Sequence, residues 1–216
     1  MDDIIKEAKY LASNGVKEII LIGQNTSDYG IDLYGEYCLN KLLDSLNSID
    51  ELKWIRVLYL YPDNFTEALI KSIKVNDKVV KYVDIPLQHI NDNVLKRMNR
   101  NTSRKDIESL IRKLREEIPG IVLRTTFIVG FPGETEDEFN ELCDFIKDIK
   151  FDKLGVFTYS REEDTPAYNL PNQIPEEVKE NRRDIIMEIQ QDISTELMEA
   201  KVDKKFYVLI EEVYDN

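Results

Sequence analysis

Apolar positions along the chain follow two alternating periods. Short runs rich in Ile, Val, Leu, Tyr and Phe occupy residues 18–23 (EIILIG), 54–61 (WIRVLYLY), 81–87 (KYVDIPL), 121–130 (IVLRTTFIVG) and 153–159 (KLGVFTY). Their length and β-branched content predict five strands. Between them, apolar residues recur three or four apart: Ile4, Ile5, Ala8 and Leu11; Leu39, Leu42, Leu43 and Leu46; Ala68, Leu69 and Ile73; Ile107, Leu110, Ile111 and Leu114; Phe139, Leu142, Phe145 and Ile146. That spacing sets each group on one helical stripe. The alternation predicts an α/β fold, a parallel sheet with right-handed crossovers, either open and doubly wound or a βα-barrel.

Local signals agree with the periods. Thr135 stands three residues before Glu138 and predicts a capping box, in which hydroxyl and carboxylate satisfy each other's orphan backbone donors. Thr66 and Ser103 fit helix N-caps or first-turn positions. Residues 175–200 predict a long helix, opening on Pro-Glu-Glu, with Val178, Ile185, Ile189, Ile193 and Leu197 at helical spacing. A strand-like run, KKFYVLIEEVY, follows it with no later segment to pair with. The chain opens on a helix over residues 3–13 with no strand before it. Both ends therefore read as truncated, with residues 1–202 as the core and 203–216 as the start of another β module. There is no internal repeat and no low-complexity linker.

Composition narrows the classes. The chain has 216 residues, enough for one substantial core or two small ones, and its 42% hydrophobic and 33% charged content is that of a globular chain. No apolar run is long enough to span a bilayer, and the acidic start Met1-Asp2-Asp3 is unlike a signal peptide, so a cytoplasmic location is expected. A net charge of -13 opposes non-specific attraction to nucleic acid. One stretch, KRMNRNTSRK at 96–105, gathers five basic residues, and a solvated helix end is a better reading of it than a docking patch. Cys38 and Cys143 lie far apart with no C-x-x-C spacing, which gives neither a metal cage nor a disulfide framework. His89 is the single histidine, leaving one candidate base for a hydrolytic triad.

In parallel βα architectures ligands bind at the carboxyl ends of the strands. Those ends read GQNTSDYGID, YPDNF, PLQHIND, GFPGETE and YSREEDTPAY. The GFPG turn resembles a phosphate cradle, yet Glu134, Glu136, Asp137 and Glu138 follow it. Such acids suit a helix N-terminus and repel an anion, so an amine, a sulfonium or ribose hydroxyls fit better there than a phosphate. A plain capped surface helix is the competing reading. GQNTS offers amides and hydroxyls to an amino acid moiety, although such residues also make turns. His89 is a candidate base or ligand, more often a structural residue in such a loop. Arg124, inside an apolar strand, is expected to be buried and to reach a carboxylate of protein or ligand.

Taken in order, GQNTSDYGIDLYG, WIRVLYLYPDNF, DIPLQHINDNVLKRMNR, RTTFIVGFPGETEDEF and GVFTYSREEDTPAYNLPNQIPEEVK, with the long helix after them, resemble the radical S-adenosylmethionine methylthiotransferases, and among them those that modify an aspartate of small-subunit ribosomal protein S12. The resemblance implies a partial, TIM-like radical-SAM βα-barrel that lacks its first strand. It implies S-adenosylmethionine and two [4Fe-4S] clusters in the complete protein. The C-x-x-x-C-x-x-C motif is absent, so no cluster would be ligated by this chain and the chain alone would be inactive. The tail from Phe206 would begin a TRAM domain. By resemblance, Gly23, Gln24 and Asn25 contact the methionine moiety, Gly130, Phe131, Pro132 and Gly133 flank the adenine, and Gln88 and Arg124 add polar contacts. His89, Tyr159, Ser160 and Arg161 would face nucleoside or substrate. The implied reaction is methylthiolation at the aspartate β-carbon, with the S12 protein or small ribosomal subunit as partner and a flavodoxin or ferredoxin as electron donor. The tRNA-modifying methylthiotransferases, which share the barrel, and a non-catalytic ribosome-binding scaffold remain the alternatives.

Overall fold

The computed structural model describes every residue except 211 and 214–216. The five strands predicted for the sheet form: β1 Glu18–Leu21, β2 Trp54–Val57, β3 Tyr82–Gln88, β4 Val122–Val129 and β5 Lys153–Thr158. β1 pairs with β2, and β3, β4 and β5 pair in that order, all in parallel. The two groups meet through an Ile55–Val79 bridge and through the Leu60 N–H, which donates to the Asp84 carbonyl at 2.8 Å. The strands thus lie side by side in chain order, and β1 and β5 remain unpaired with each other. This is an open βα-barrel wall rather than a closed barrel.

The helices are α1 Asp2–Ser13, α2 Ile31–Tyr34, α3 Leu39–Asn47, α4 Glu67–Val75, α5 Asp92–Arg97, α6 Arg104–Glu117, α7 Glu136–Ile149 and α8 Glu176–Glu199. The apolar stripes of α1, α3, α4, α6 and α7 pack with the strands in one core, whereas α2 buries no residue. On β4 the alternation is plain: Leu123, Thr125, Phe127 and Val129 are buried beneath helices, whereas Arg124, Thr126 and Ile128 point to the inner wall. That wall is lightly covered, for Phe157, the register partner of Ile128, is 64% exposed. Thr66, Ser103 and Thr135 all cap their helices, the last two in full capping boxes with Asp106 and Glu138.

Two expectations change. The predicted apolar stripe of α8 forms only in part: Ile193 is buried and Ile189 and Leu197 pack against the core, but Val178 and Ile185 are exposed, and Lys179, Arg182, Ile186 and Gln190 share the buried face. The polar members serve strand and loop ends; Gln190, for example, donates to the Phe151 carbonyl at 2.9 Å. The expected final strand falls partly on residues outside the described set, and residues 204–210 form no strand. Among the described residues, no helix is long and apolar enough to cross a membrane.

Candidate functional site

At the end of β1 the chain fastens its own loop. The Thr26 hydroxyl accepts from Gly23 N–H at 3.0 Å and donates to the Leu58 carbonyl at 2.7 Å, which ties this loop to the end of β2. Asn25 donates to Asp28 at 2.7 Å and accepts from the Ser27 hydroxyl at 2.6 Å. Both ends of its amide are therefore engaged in shaping the loop. Gln24 is exposed, and its side chain has no hydrogen-bond partner among the described residues.

The next two strands end in strain. Tyr59 has φ 57 and Gln88 has φ 70, left-handed conformations that side chains adopt only when surroundings enforce them. For Tyr59 the enforcing group is Asp84, whose carboxylate accepts its N–H at 3.2 Å. Asp84 also receives Arg124, Nε to Oδ1 at 3.6 Å. Arg124 does reach a carboxylate of the protein, but its side chain is 48% exposed, so the expectation of a buried guanidinium is corrected. Arg124 lies on the half-open inner face, where water still reaches it. Its pKa is raised, chiefly by a hydrogen bond with Tyr82.

The GFPG turn follows β4. Gly130 and Gly133 have φ 73 and 79, and at Gly130 an added Cβ would meet Lys179 Cγ at 2.3 Å. Every N–H of the turn is already committed. Gly130 and Phe131 donate to the Glu134 carboxylate at 2.8 and 3.3 Å. Gly133 donates to the Asn172 carbonyl, Glu134 to the Phe131 carbonyl, and Thr135 to the Glu138 carboxylate. An anion-binding nest is present, and Glu134 fills it.

The acidic run is divided between inward-facing and exposed members. Glu134, fully buried, pairs with Arg182 at 2.8 Å, Glu136 pairs with the same Arg182 at 3.1 Å, and Glu138 pairs with Arg97 at 2.8 Å. Glu136 and Asp137 stay exposed at the helix start, so the repulsion expected of the acids rests on these two, and the occupied N–H groups of the turn add a second reason against a phosphate. Burial raises the Glu134 pKa despite Arg182 and two backbone donors.

Around the turn lies a small apolar cluster of Val94, Phe131 and Tyr159, with Met98, Ile128, Ala167 and Leu170 against it. Phe131 and Tyr159 meet edge to face at 5.1 Å. The Tyr159 hydroxyl is buried and has no hydrogen-bond partner among the described residues. His89 is fully buried below the turn, so it does not face an opening. Its Nδ1 accepts from Asn91 N–H at 3.0 Å, which assigns the ring proton to Nε2, 3.9 Å from Glu134. Burial lowers its pKa to about 4, and a neutral ring makes this contact no ion pair. Ser160 and Arg161 are exposed and paired locally, with Glu162 and with Tyr168. The basic stretch is largely absorbed too: Arg97 and Arg104 pair with Glu138 and Glu141, and Arg100 lies over Tyr61.

The structure thus gathers Gln88, His89, the turn 130–133 and Tyr159 at the ends of β3, β4 and β5, and places residues 23–25 at the end of β1. Sequence reasoning missed Glu134 as an inward-facing residue, and Lys179 and Arg182 altogether. Their signal is a Lys and an Arg one turn apart on a helix otherwise read for its apolar spacing. Among the described residues no three His, Cys, Asp or Glu side chains are grouped to hold a metal ion. Cys38 and Cys143 are both buried, and burial pushes the Cys143 thiol up to about 11.

The radical SAM superfamily model matches residues 1–146. Among curated proteins, the chain is 56% identical over its whole length to the ribosomal protein uS12 methylthiotransferase RimO of Clostridioides difficile (strain 630), covering 49% of that protein. It is 57% identical over 98% of its length to RimO of Caldanaerobacter subterraneus subsp. tengcongensis, covering 48%. The chain therefore spans about half the length of the curated relatives it matches. Among solved structures, coproporphyrinogen III oxidase HemN of Escherichia coli aligns with a TM-score of 0.63 at 16% identity, over 92% of this chain and 45% of that one. Elp3 of Methanocaldococcus infernus aligns at 0.54 and 17% identity, over 88% of this chain and 47% of that one. At these identities the structural likeness speaks for the fold alone. The strand-by-strand open wall and the match over residues 1–146 together give one conclusion: the chain belongs to the radical SAM superfamily.

Proposed function

We propose that the chain is the cofactor-facing wall of a methylthiotransferase acting on an aspartate β-carbon of ribosomal protein uS12. The observation that carries this reading is identity of 56% across the entire chain to proteins of that activity. The cofactor is S-adenosylmethionine, and the strand ends suit it. The turn 130–133 has no N–H left for a phosphate, yet keeps an apolar flank of Ile128, Phe131 and Tyr159 for an adenine. The backbone at Gly23, Gln24 and Asn25, with the free Gln24 side chain, faces the methionine moiety. Gln88 and Arg124 supply polar contacts from the inner wall, and Tyr159, Ser160 and Arg161 edge the opening on the substrate side.

Bound S-adenosylmethionine supplies a radical initiator and a methyl group; this chain's residues bind and orient it and shield one side from water. His89 supports the turn from beneath. An iron–sulfur cluster on three thiolates does not fit this chain, which has two cysteines, both buried. The reading further entails a flavodoxin or ferredoxin as electron donor, the small ribosomal subunit as partner and the cytoplasm as location.

The test is intact-mass spectrometry of uS12 from a strain that lacks its own uS12 methylthiotransferase and expresses the gene carrying this chain. One added methylthio group on uS12 is expected. Unmodified uS12 together with newly methylthiolated tRNA would overturn the assignment.

A further inference from the structure

Residues 176–182 lie beyond the segment matched by the superfamily model, yet they frame the turn. Lys179 and Arg182 stand one turn apart on α8 and so share a face. Both side chains are almost wholly buried. Arg182 Nη1 donates to the Glu134 carboxylate at 2.8 Å and to the Glu134 carbonyl at 3.2 Å, while Nη2 reaches Glu136 at 3.1 Å. The other oxygen of Glu134 holds Gly130 and Phe131 N–H. Lys179 lays its stem against Gly130 and donates to the Tyr159 carbonyl at the end of β5 at 2.9 Å. Glu176 completes its pairing, also at 2.9 Å. Two cations from one helix thus grip the ends of β4 and β5, and the glycine turn is held in its left-handed shape from behind.

We infer that Lys179 and Arg182 are positioning residues that hold the turn 130–133 and Tyr159 in the arrangement that accepts the nucleoside end of S-adenosylmethionine. The inference rests on the cofactor reading above. It extends the site to a helix whose residues touch the turn and not the ligand. A guanidinium that merely neutralised Glu134 could be removed together with that charge without harm; a positioning guanidinium could not.

The experiment uses the full chain with S-adenosylmethionine and S-adenosylhomocysteine as calorimetric probes, amide hydrogen exchange at Gly130 and Phe131, and thermal midpoints. Arg182→Met should raise exchange at both amides at least tenfold, leave the β3–β4 ladder unchanged, and weaken binding at least tenfold. Glu134→Gln combined with Arg182→Met should recover most of the lost midpoint but not the affinity, and Arg182→Lys should recover part of both. Recovery of affinity along with midpoint in the double variant, or unchanged exchange in Arg182→Met, would overturn the positioning role. If the wild type takes up neither probe while the exchange results are as expected, the cofactor reading fails. Lys179 and Arg182 are then structural anchors only, and the inference falls with it.

Discussion

Gly130→Ala tests the close approach of α8 to the turn. Gly130 has φ 73, and its new methyl would lie 2.3 Å from Lys179 Cγ and 3.0 Å from Lys179 Cβ and Cδ. The left-handed conformation costs an alanine roughly 1–2 kcal/mol. Overpacking against a buried stem adds about 1–3 kcal/mol, giving a loss of about 2–5 kcal/mol from a total stability of order 5–15 kcal/mol. Gly133→Ala is the internal control. Gly133 has a similar φ of 79, but the nearest atom to an added Cβ is Arg97 Nε at 3.8 Å, so only the backbone part, roughly 1–2 kcal/mol, is expected. Urea unfolding followed by far-ultraviolet circular dichroism measures both, with a constant m-value confirming that stability alone has changed. Combining Gly130→Ala with Lys179→Ala should give a favourable coupling of at least about 1 kcal/mol. Equal losses for the two glycine variants, with no coupling to Lys179, would refute the packing argument.

Three further outcomes follow from the geometry. His89 titrates near about 4 in the folded chain against roughly 6.5 when unfolded, so between these values the unfolded chain binds the extra proton and stability falls on acidification. Glu134, raised by burial, acts in the opposite sense. The comparison with His89→Gln isolates the histidine: wild type should lose up to about 3 kcal/mol more from pH 6.5 to 4, and parallel pH profiles would contradict the assignment. Thr135→Ala removes a hydroxyl that accepts from Glu138 N–H and should lower stability by about 1 kcal/mol in the same urea assay; an unchanged midpoint would deny the cap its role. Anaerobic reconstitution of this chain with iron and sulfide should leave iron well below one cluster per chain, because only two cysteines are available and both are buried; stoichiometric iron by colorimetric assay would contradict it.

Periodicity made the sheet legible but not its upper edges. The run at 54–61 predicts a long second strand, yet β2 stops at Val57. There the backbone turns so that Leu58 N–H reaches the Leu21 carbonyl and Tyr59 N–H reaches Asp84, and apolarity does not encode a left-handed tyrosine. The solvated helix end expected at the start of the basic stretch is the last turn of α5, with Lys96 and Arg97, while the start of that helix is marked in the sequence only by its Asn91 cap, which accepts from Asn93 and Val94 N–H. The site was legible in its glycines and its capping box, because those are local. Glu134 was not, for a linear acidic run does not say which carboxylate folds inward. Its partner Arg182 is 48 residues away on a helix judged by its apolar spacing. Long-range charge pairing leaves no period in the sequence, and here it accompanies the inward turn of Glu134 into the nest while Glu136 and Asp137 stay exposed.

Photolabelling with 8-azido-S-adenosylmethionine, mapped by peptide mass spectrometry, tests the central claim most directly. Label is predicted on peptides containing residues 23–25 and 128–134, removed by competing S-adenosylhomocysteine and weakened in Arg182→Met. Label confined to the outer helix faces, or label that S-adenosylhomocysteine does not displace, would contradict the assignment of this wall to the cofactor.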